Sequence, residues 1–250
     1  MSSIAVSLIV LAFVFGGALL GMFLAKVLPP EHLSPESTDL VKLGMGLIAT
    51  MAALVLGLIL ASAKGSYDTE KGELISFSAK VVLLDRVLAH YGPEAKEARD
   101  ALRATVASSL DQGRLADHSR YTLSNSPVGA EFFYDKLQEL SPKSEEQRLA
   151  KSEALSIVIT LGQTRWLMLE QQSNSVPRPL LVIVVSWLTV IFISFGLFAP
   201  RNGTVITSLF VSALSVSMAI FLILELYSPF AGVIQISNVP LQNALAQLGK

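Results

Sequence analysis

The last long apolar stretch of the sequence carries four hydroxyl side chains at helical spacing: Thr204, Ser208, Ser212 and Ser215. Residues three or four apart lie on one side of a helix, so these hydroxyls form a single stripe. A stripe of this kind can line a polar pore that carries no fixed charge. It can equally pack the helix against the preceding apolar stretch, which supplies Ser186 and Thr189. The sequence favours packing and leaves the pore as the alternative.

Three charged residues mark the ends of apolar stretches and form a candidate interfacial charge site: Glu225, Lys64 and Arg178. An unpaired carboxylate at the edge of a membrane is costly, so Glu225 needs a cationic partner or a water-filled vestibule. A salt bridge that holds the helix ends together is the favoured interpretation. An ion-sensing role for the same carboxylate is the alternative.

The residue types that catalysis and metal binding require are sparse. His32, His90 and His118 are isolated and lack the spacing of a zinc site, and cysteine is absent. Gly44 and Gly46 lie within an apolar helix rather than after a strand, so they do not form a phosphate loop. We therefore expect no enzymatic activity, no metal site and no cofactor. The net charge of −1, with no basic cluster, also predicts no binding to nucleic acid.

Two positions in the middle of the chain carry polar side chains within a predicted helix. Asp85 and Arg86 are adjacent, so they point in different directions and do not pair with each other. Each is expected to meet another helix, either in an interior salt bridge or in a subunit contact. His90 precedes a helix end and is expected to cap backbone carbonyls there.

The charged residues are unevenly distributed along the 250-residue chain, which is 52% hydrophobic and 16% charged. Four stretches carry no charged residue at all: 4–25, 43–63, 179–200 and 202–224. About 20 apolar residues in a helix cross a hydrocarbon core of about 30 Å. The sequence therefore predicts four transmembrane helices, over 4–27, 40–63, 179–199 and 204–226.

Four spans divide the chain into two hairpins that flank a soluble part. The predicted parts are a first hairpin over 1–64, a helical domain over 65–178, a second hairpin over 179–227 and a tail over 228–250. Lys and Arg near the membrane number five on the side of the domain and three on the side of the short loops, which predicts a cytoplasmic domain and cytoplasmic chain ends. The tail is expected to contain a short amphipathic helix that lies on the membrane or covers the domain.

The middle segment shows helical periodicity. Six apolar residues alternate at spacings of three and four and share one face: Leu74, Phe77, Val81, Leu84, Leu88 and Tyr91. Gly92-Pro93 ends that helix and begins another, and Ser141-Pro142 predicts a last helix from about residue 143. The domain is therefore expected to be all-helical, with its first and last helices continuing from the second and third membrane spans.

Small residues recur within the first two predicted membrane helices. The first carries Gly16, Gly17 and Gly21, and the second carries small residues at four-residue spacing: Ala53, Gly57 and Ala61. Small residues at this interval let two helix backbones approach closely in lipid. They are expected to serve helix packing.

Four segments of the sequence resemble a bacterial family of four-helix membrane proteins described as bestrophin-like. They are 46–57, 84–93, 195–202 and 224–237, and the last carries the pattern LExxxPFxGxIxIS. The resemblance covers nearly the whole chain. It implies an architecture similar to that of bestrophin anion channels, which are pentamers with cytosolic helices between two membrane hairpins.

Two functional hypotheses follow for this all-α membrane protein. The first is an oligomeric channel of the bacterial inner membrane, with helices around a central axis and a cytosolic helical vestibule. The second is a non-conducting scaffold or sensor whose domain binds a protein partner, because the spacing from Leu74 to Tyr91 also suits recognition of another helix. In both hypotheses the lipid bilayer is the immediate partner, and a homo-oligomer is expected.

Overall fold

A computed structural model describes residues 2–29, 34–115, 127–171, 178–229 and 232–250. All regular secondary structure in these ranges is helical, which confirms the predicted all-α fold. The helices are α1 (Ser3–Val27), α2 (Pro35–Tyr91), a 3₁₀ helix (Pro93–Ala95), α3 (Lys96–Leu115), α4 (Pro127–Glu139), α5 (Glu145–Gln171), α6 (Arg178–Phe198), α7 (Gly203–Leu226) and α8 (Val239–Gln247).

Four of these helices, α1, α2, α6 and α7, are long and apolar enough to cross a membrane. The prediction of four membrane spans is therefore confirmed. α2 is a single helix of 57 residues, far longer than a span requires, so the predicted continuity between the second span and the domain is correct. α5 ends at Gln171 and α6 begins at Arg178, and the connection between them lies outside the described residues.

The chain divides into two compact units. The membrane unit comprises 1–66 and 175–227, and the domain unit comprises 67–174 and 228–250. α2 contributes its first part to the membrane unit and its second part to the domain unit.

Polar caps close the helix ends of the membrane unit. The hydroxyl of Ser2 accepts a hydrogen bond from the Ala5 amide at the start of α1. The side-chain oxygen of Asn202 accepts one from the Val205 amide at 2.8 Å, so Asn202 caps α7 directly after the turn that follows α6. In the same turn, Arg201 donates to the backbone carbonyl of Met22 near the end of α1.

Glycines bring α1 and α6 into backbone contact. A Cβ atom added to Gly21 would overlap the Ile193 carbonyl oxygen, and one added to Gly196 would overlap the Ala18 carbonyl oxygen. Gly17 is also tight, because a Cβ there would lie 3.1 Å from the Thr189 backbone oxygen. The packing role expected for the small residues of the first helix is confirmed at Gly17 and Gly21.

The domain unit is built around the second part of α2. From Phe77 to Tyr91, the residues of the predicted stripe are buried or half-buried in its core, together with residues of α3, α4 and α5. Leu74 packs in a smaller cluster with Met168 and Ile236. Leu241 and Leu248 from the tail are buried in the same cluster, so the amphipathic helix α8 covers the domain. Of the two placements that the sequence left open for the tail, the structure shows this one.

The start of α5 differs from the prediction. The helix begins at Glu145, because the hydroxyl of Ser144, not that of Ser141, accepts the hydrogen bond from the Gln147 amide. The side chain of Gln147 in turn accepts from the Lys143 amide at 2.8 Å. These two bonds satisfy two backbone donors at the start of the helix, whereas Pro142 lies outside it.

Candidate functional site

The structure places the hydroxyl stripe of α7 on the surface of the chain. Thr204, Ser208, Ser212 and Ser215 are all exposed, whereas the buried side of α7 contains Ala213, Ser217 and Ile220. This buried side faces α1, where the hydroxyl of Ser217 donates to the Ser7 carbonyl oxygen. Sequence reasoning missed Ser217, although its four-residue spacing from Ala213 is a small-residue signal of helix contact.

Two exposed hydroxyl groups of the membrane helices are satisfied within their own helices. Ser215 donates to the Val211 carbonyl at 2.9 Å, and on α2 Thr50 donates to the Leu47 carbonyl at 2.7 Å. A hydroxyl that is bonded to its own backbone can face lipid, protein or water at small cost. Exposure of the stripe therefore makes it available to a neighbouring copy, to lipid or to a pore.

Ser186 and Thr189 of α6 were the residues against which the hydroxyl stripe of α7 was expected to pack. Ser186 is exposed and donates to the Ile183 carbonyl at 2.7 Å. Thr189 is half-buried, donates to the Val185 carbonyl and lies against Gly17 of α1. In the described part of the chain, Thr189 thus serves the contact between α6 and α1.

The membrane part of α2 presents a long open face. Its apolar side chains are strongly exposed, with Leu43 at 74% and Leu54 at 67%. A Cβ added to Gly44, Gly46 or Gly57 would meet no described atom within 4 Å. A helical glycine costs roughly 0.5–1 kcal/mol relative to alanine, so it is normally retained where a close neighbour requires it. The described residues of this chain provide no such neighbour for these three glycines.

The charged helix ends lie at one end of the membrane unit. Glu225 is 3% exposed at the end of α7, and Lys64 is exposed on α2. The hydroxyl of Tyr227 donates to that of Ser62 at 3.3 Å, which places the end of α7 beside α2. Arg178 begins α6, and its side chain lies outside the described part of the structure. The salt bridge proposed for these residues stays a prediction.

A salt bridge links α2, α3 and the tail within the domain unit. Arg99 of α3 donates two hydrogen bonds to the carboxylate of Asp85, at 2.7 and 2.9 Å, and Asp85 is 1% exposed. The Gly249 amide donates to the same carboxylate, and Arg99 donates to the Lys250 carbonyl, so the tail closes over the pair. Burial raises the pKa of Asp85, but these donors outweigh it and hold the pKa below its usual value.

For Asp85 and Arg86, the sequence left open an interior salt bridge or a subunit contact. Asp85 forms an interior salt bridge, whereas Arg86 is exposed. His90 Nδ1 lies 2.7 Å from the Arg86 carbonyl oxygen, in agreement with the predicted capping role. His32 and His118 lie outside the described residues.

Glu70 is a buried carboxylate that sequence reasoning did not single out. It is 7% exposed, and its Oε2 atom has no hydrogen-bond partner among the described residues. It lies one turn before Leu74, which packs against Met168 and Ile236. Burial, and then the nearby charge of Glu73, raise the pKa of Glu70 to about 7. The sequence did contain a signal for this burial, because Glu70 lies four residues before Leu74 and therefore on the same helix face as the predicted stripe.

Glu70 is expected to make the protein less stable as the pH rises from acid toward neutrality. A folded-state pKa above the unfolded value favours the folded protein at low pH, and this advantage is lost between about pH 4.5 and pH 7. Glu70→Gln is therefore expected to raise the stability at pH 8 by about 1–3 kcal/mol and to leave it nearly unchanged at pH 5. Thermal unfolding in detergent at both values measures this.

The exposed Glu131 supplies a matched control for that experiment. Glu131→Gln should keep the pH dependence of the unmodified protein. An equal pH dependence in the Glu70 and Glu131 variants would show that Glu70 does not titrate with the expected effect.

The described residues contain no group of three or more His, Cys, Asp or Glu side chains that could hold a metal ion.

The family model of the Bestrophin-like domain matches residues 12–241, which is most of the chain. The chain belongs to the bestrophin-like family. This bestrophin-like protein matches no curated protein and no solved structure in the comparisons. Its site must therefore be interpreted from its own geometry.

Proposed function

We propose that this bestrophin-like protein is an oligomeric ion channel of the bacterial inner membrane, with its helical domain as a cytosolic vestibule. The exposed membrane part of α2, with Thr50 and Gly57 on one face, carries the proposal. In an oligomer, this face of each copy would turn toward a central axis, where Gly57 leaves room for a path. Membership of the family adds the expectation of ion conduction.

The path of the ions is proposed to follow α2. Of the described helices, α2 alone contributes to both compact units. A helix that belongs to both units can line a path along its whole length. Copies of α2 around an axis would present Thr50 and glycine positions such as Gly57, where main-chain dipoles are accessible. The hydroxyl stripe of α7 then faces lipid or a neighbouring copy.

Measurements of mass and flux test this proposal. The purified protein in detergent should have the mass of a closed oligomer, and liposomes that contain it should conduct ions. Gly57→Leu is expected to abolish most of the flux, because leucine side chains from all copies would narrow the path. A monomeric mass, or liposomes without flux, would contradict the channel.

Ser212→Leu is the matched variant on α7, since Ser212 is also exposed on a membrane helix. Flux should be unaltered in this variant while Gly57→Leu blocks it. The reverse result would move the pore from α2 to the hydroxyl stripe of α7.

A non-conducting scaffold that binds a protein partner is the second candidate. The stripe from Leu74 to Tyr91 is occupied by the core of the domain, so a partner would bind elsewhere. α5 offers an exposed apolar surface, with Trp166 at 74% exposure beside Leu167 and with Ile159 exposed two turns earlier. Absence of flux, together with a Trp166→Ala variant that loses a binding partner, would support this candidate. Neither candidate assigns a catalytic role to the chain.

A further inference from the structure

The membrane unit contains an open crevice of about 450 Å³. It lies between the first part of α2, the end of α6 and the start of α7. Its apolar walls are formed by Met45, Ala49, Phe195, Phe198 and Leu209. This volume falls within the range of about 300–1,000 Å³ that is typical of ligand sites.

The shape and lining of the crevice fit a hydrocarbon chain. On the α2 wall, Gly46 and Ala49 are small residues that leave the crevice open. A Cβ at Gly46 would meet no described atom within 4 Å. Phe195 and Phe198 form the opposite wall from α6. Inside a bilayer an apolar crevice that opens toward lipid is filled by a chain of matching polarity, since polar groups there would remain unsatisfied.

One of the residues that line this crevice is a cation. Lys42 lines it at the start of the second span, together with Ala199, where α6 has ended. Its partner Asp39 is 3.8 Å away, and both side chains are largely exposed, so this pair is weak. A lysine at the end of a membrane helix extends its ammonium group to the level of the lipid headgroups. The site therefore combines an apolar slot with a positive charge at headgroup level.

We propose that this crevice binds a phospholipid with an anionic headgroup. One acyl chain lies between α2, α6 and α7, and the phosphate group contacts the ammonium group of Lys42. The bound lipid would join helices that lie on either side of the crevice. This proposal does not depend on ion conduction, because lipid retention can be measured whether or not the protein conducts.

Native mass spectrometry of the full-length protein tests the headgroup contact. The probes are phosphatidylglycerol and phosphatidylethanolamine with identical acyl chains. Lys42→Gln is expected to weaken phosphatidylglycerol binding about fivefold and to leave phosphatidylethanolamine binding unchanged. Lys26→Gln is the control, because Lys26 is an exposed lysine at the end of α1. Unchanged discrimination between the two lipids in Lys42→Gln would overturn the proposal.

A second pair of variants tests the acyl-chain slot. Gly46→Leu should reduce retention of both lipids, because the leucine side chain fills the slot without meeting a described atom of its own chain. Gly44→Leu is the matched control, since Gly44 is equally open but does not line the crevice. Equal melting temperatures of the two variants would show that both are folded.

Two outcomes of that comparison overturn the lipid site. If Gly46→Leu retains both lipids as Gly44→Leu does, the crevice does not hold an acyl chain. If Gly46→Leu instead lowers the mass of the assembly with lipid retention unchanged, the crevice is a contact between copies of the chain.

Discussion

Gly196→Ala is expected to force α1 and α6 apart and to be among the most damaging single substitutions in the membrane unit. The added methyl group would overlap the carbonyl oxygen of Ala18, which belongs to the backbone and cannot rotate away. Overpacking of a tight contact costs about 1–3 kcal/mol, and a clash with backbone lies at the upper end of that range or beyond it. Thermal unfolding of the protein in detergent measures the loss.

Gly16 offers a control on the same pair of helices. It lies on α1 beside the tight Gly17, yet a Cβ at Gly16 would meet no atom within 4 Å in the described ranges. Gly16→Ala should therefore be neutral or should stabilise the helix by up to about 1 kcal/mol. Equal unfolding temperatures of the Gly196→Ala and Gly16→Ala variants would contradict the close backbone contact between α1 and α6.

Asp85→Ala is expected to destabilise the domain unit by up to about 3 kcal/mol, because it leaves the half-buried Arg99 guanidinium without its carboxylate. The amide of Gly249 loses its acceptor as well, so the tail should become sensitive to proteolysis. Chemical denaturation followed by circular dichroism, together with limited proteolysis, measures both effects.

The exposed pair of Arg148 and Glu145 is the control for that substitution. Glu145→Ala removes a surface salt bridge and should cost less than about 1 kcal/mol. The unmodified domain should also lose stability in acid, because the pKa of Asp85 is held low and its contribution disappears as the pH falls through that value. A loss after Asp85→Ala no larger than that after Glu145→Ala would contradict a structural role for the ion pair.

Much of the fold could be predicted because hydropathy and periodicity are local properties. A charge-free stretch of about 20 residues identifies a span whatever surrounds it. The stripe from Leu74 to Tyr91 likewise identified the core-facing side of the second part of α2. The start of α5 was misplaced because two Ser residues compete there as caps. Ser144 is the cap because its hydroxyl accepts from the Gln147 amide, while the Gln147 side chain accepts from the Lys143 amide.

By itself, the sequence determined the four spans, the helical class of the domain and the family, since each rests on composition or on residues close together in the chain. Tertiary structure decided which side of each helix is covered. The rotation of α7 against α1 buries Ser217 and exposes Ser212, although both are hydroxyl residues on one helix. Long-range packing also buried Glu70 and paired Asp85 with Arg99. Such choices depend on the neighbouring helix, and no local pattern specifies which face it will meet.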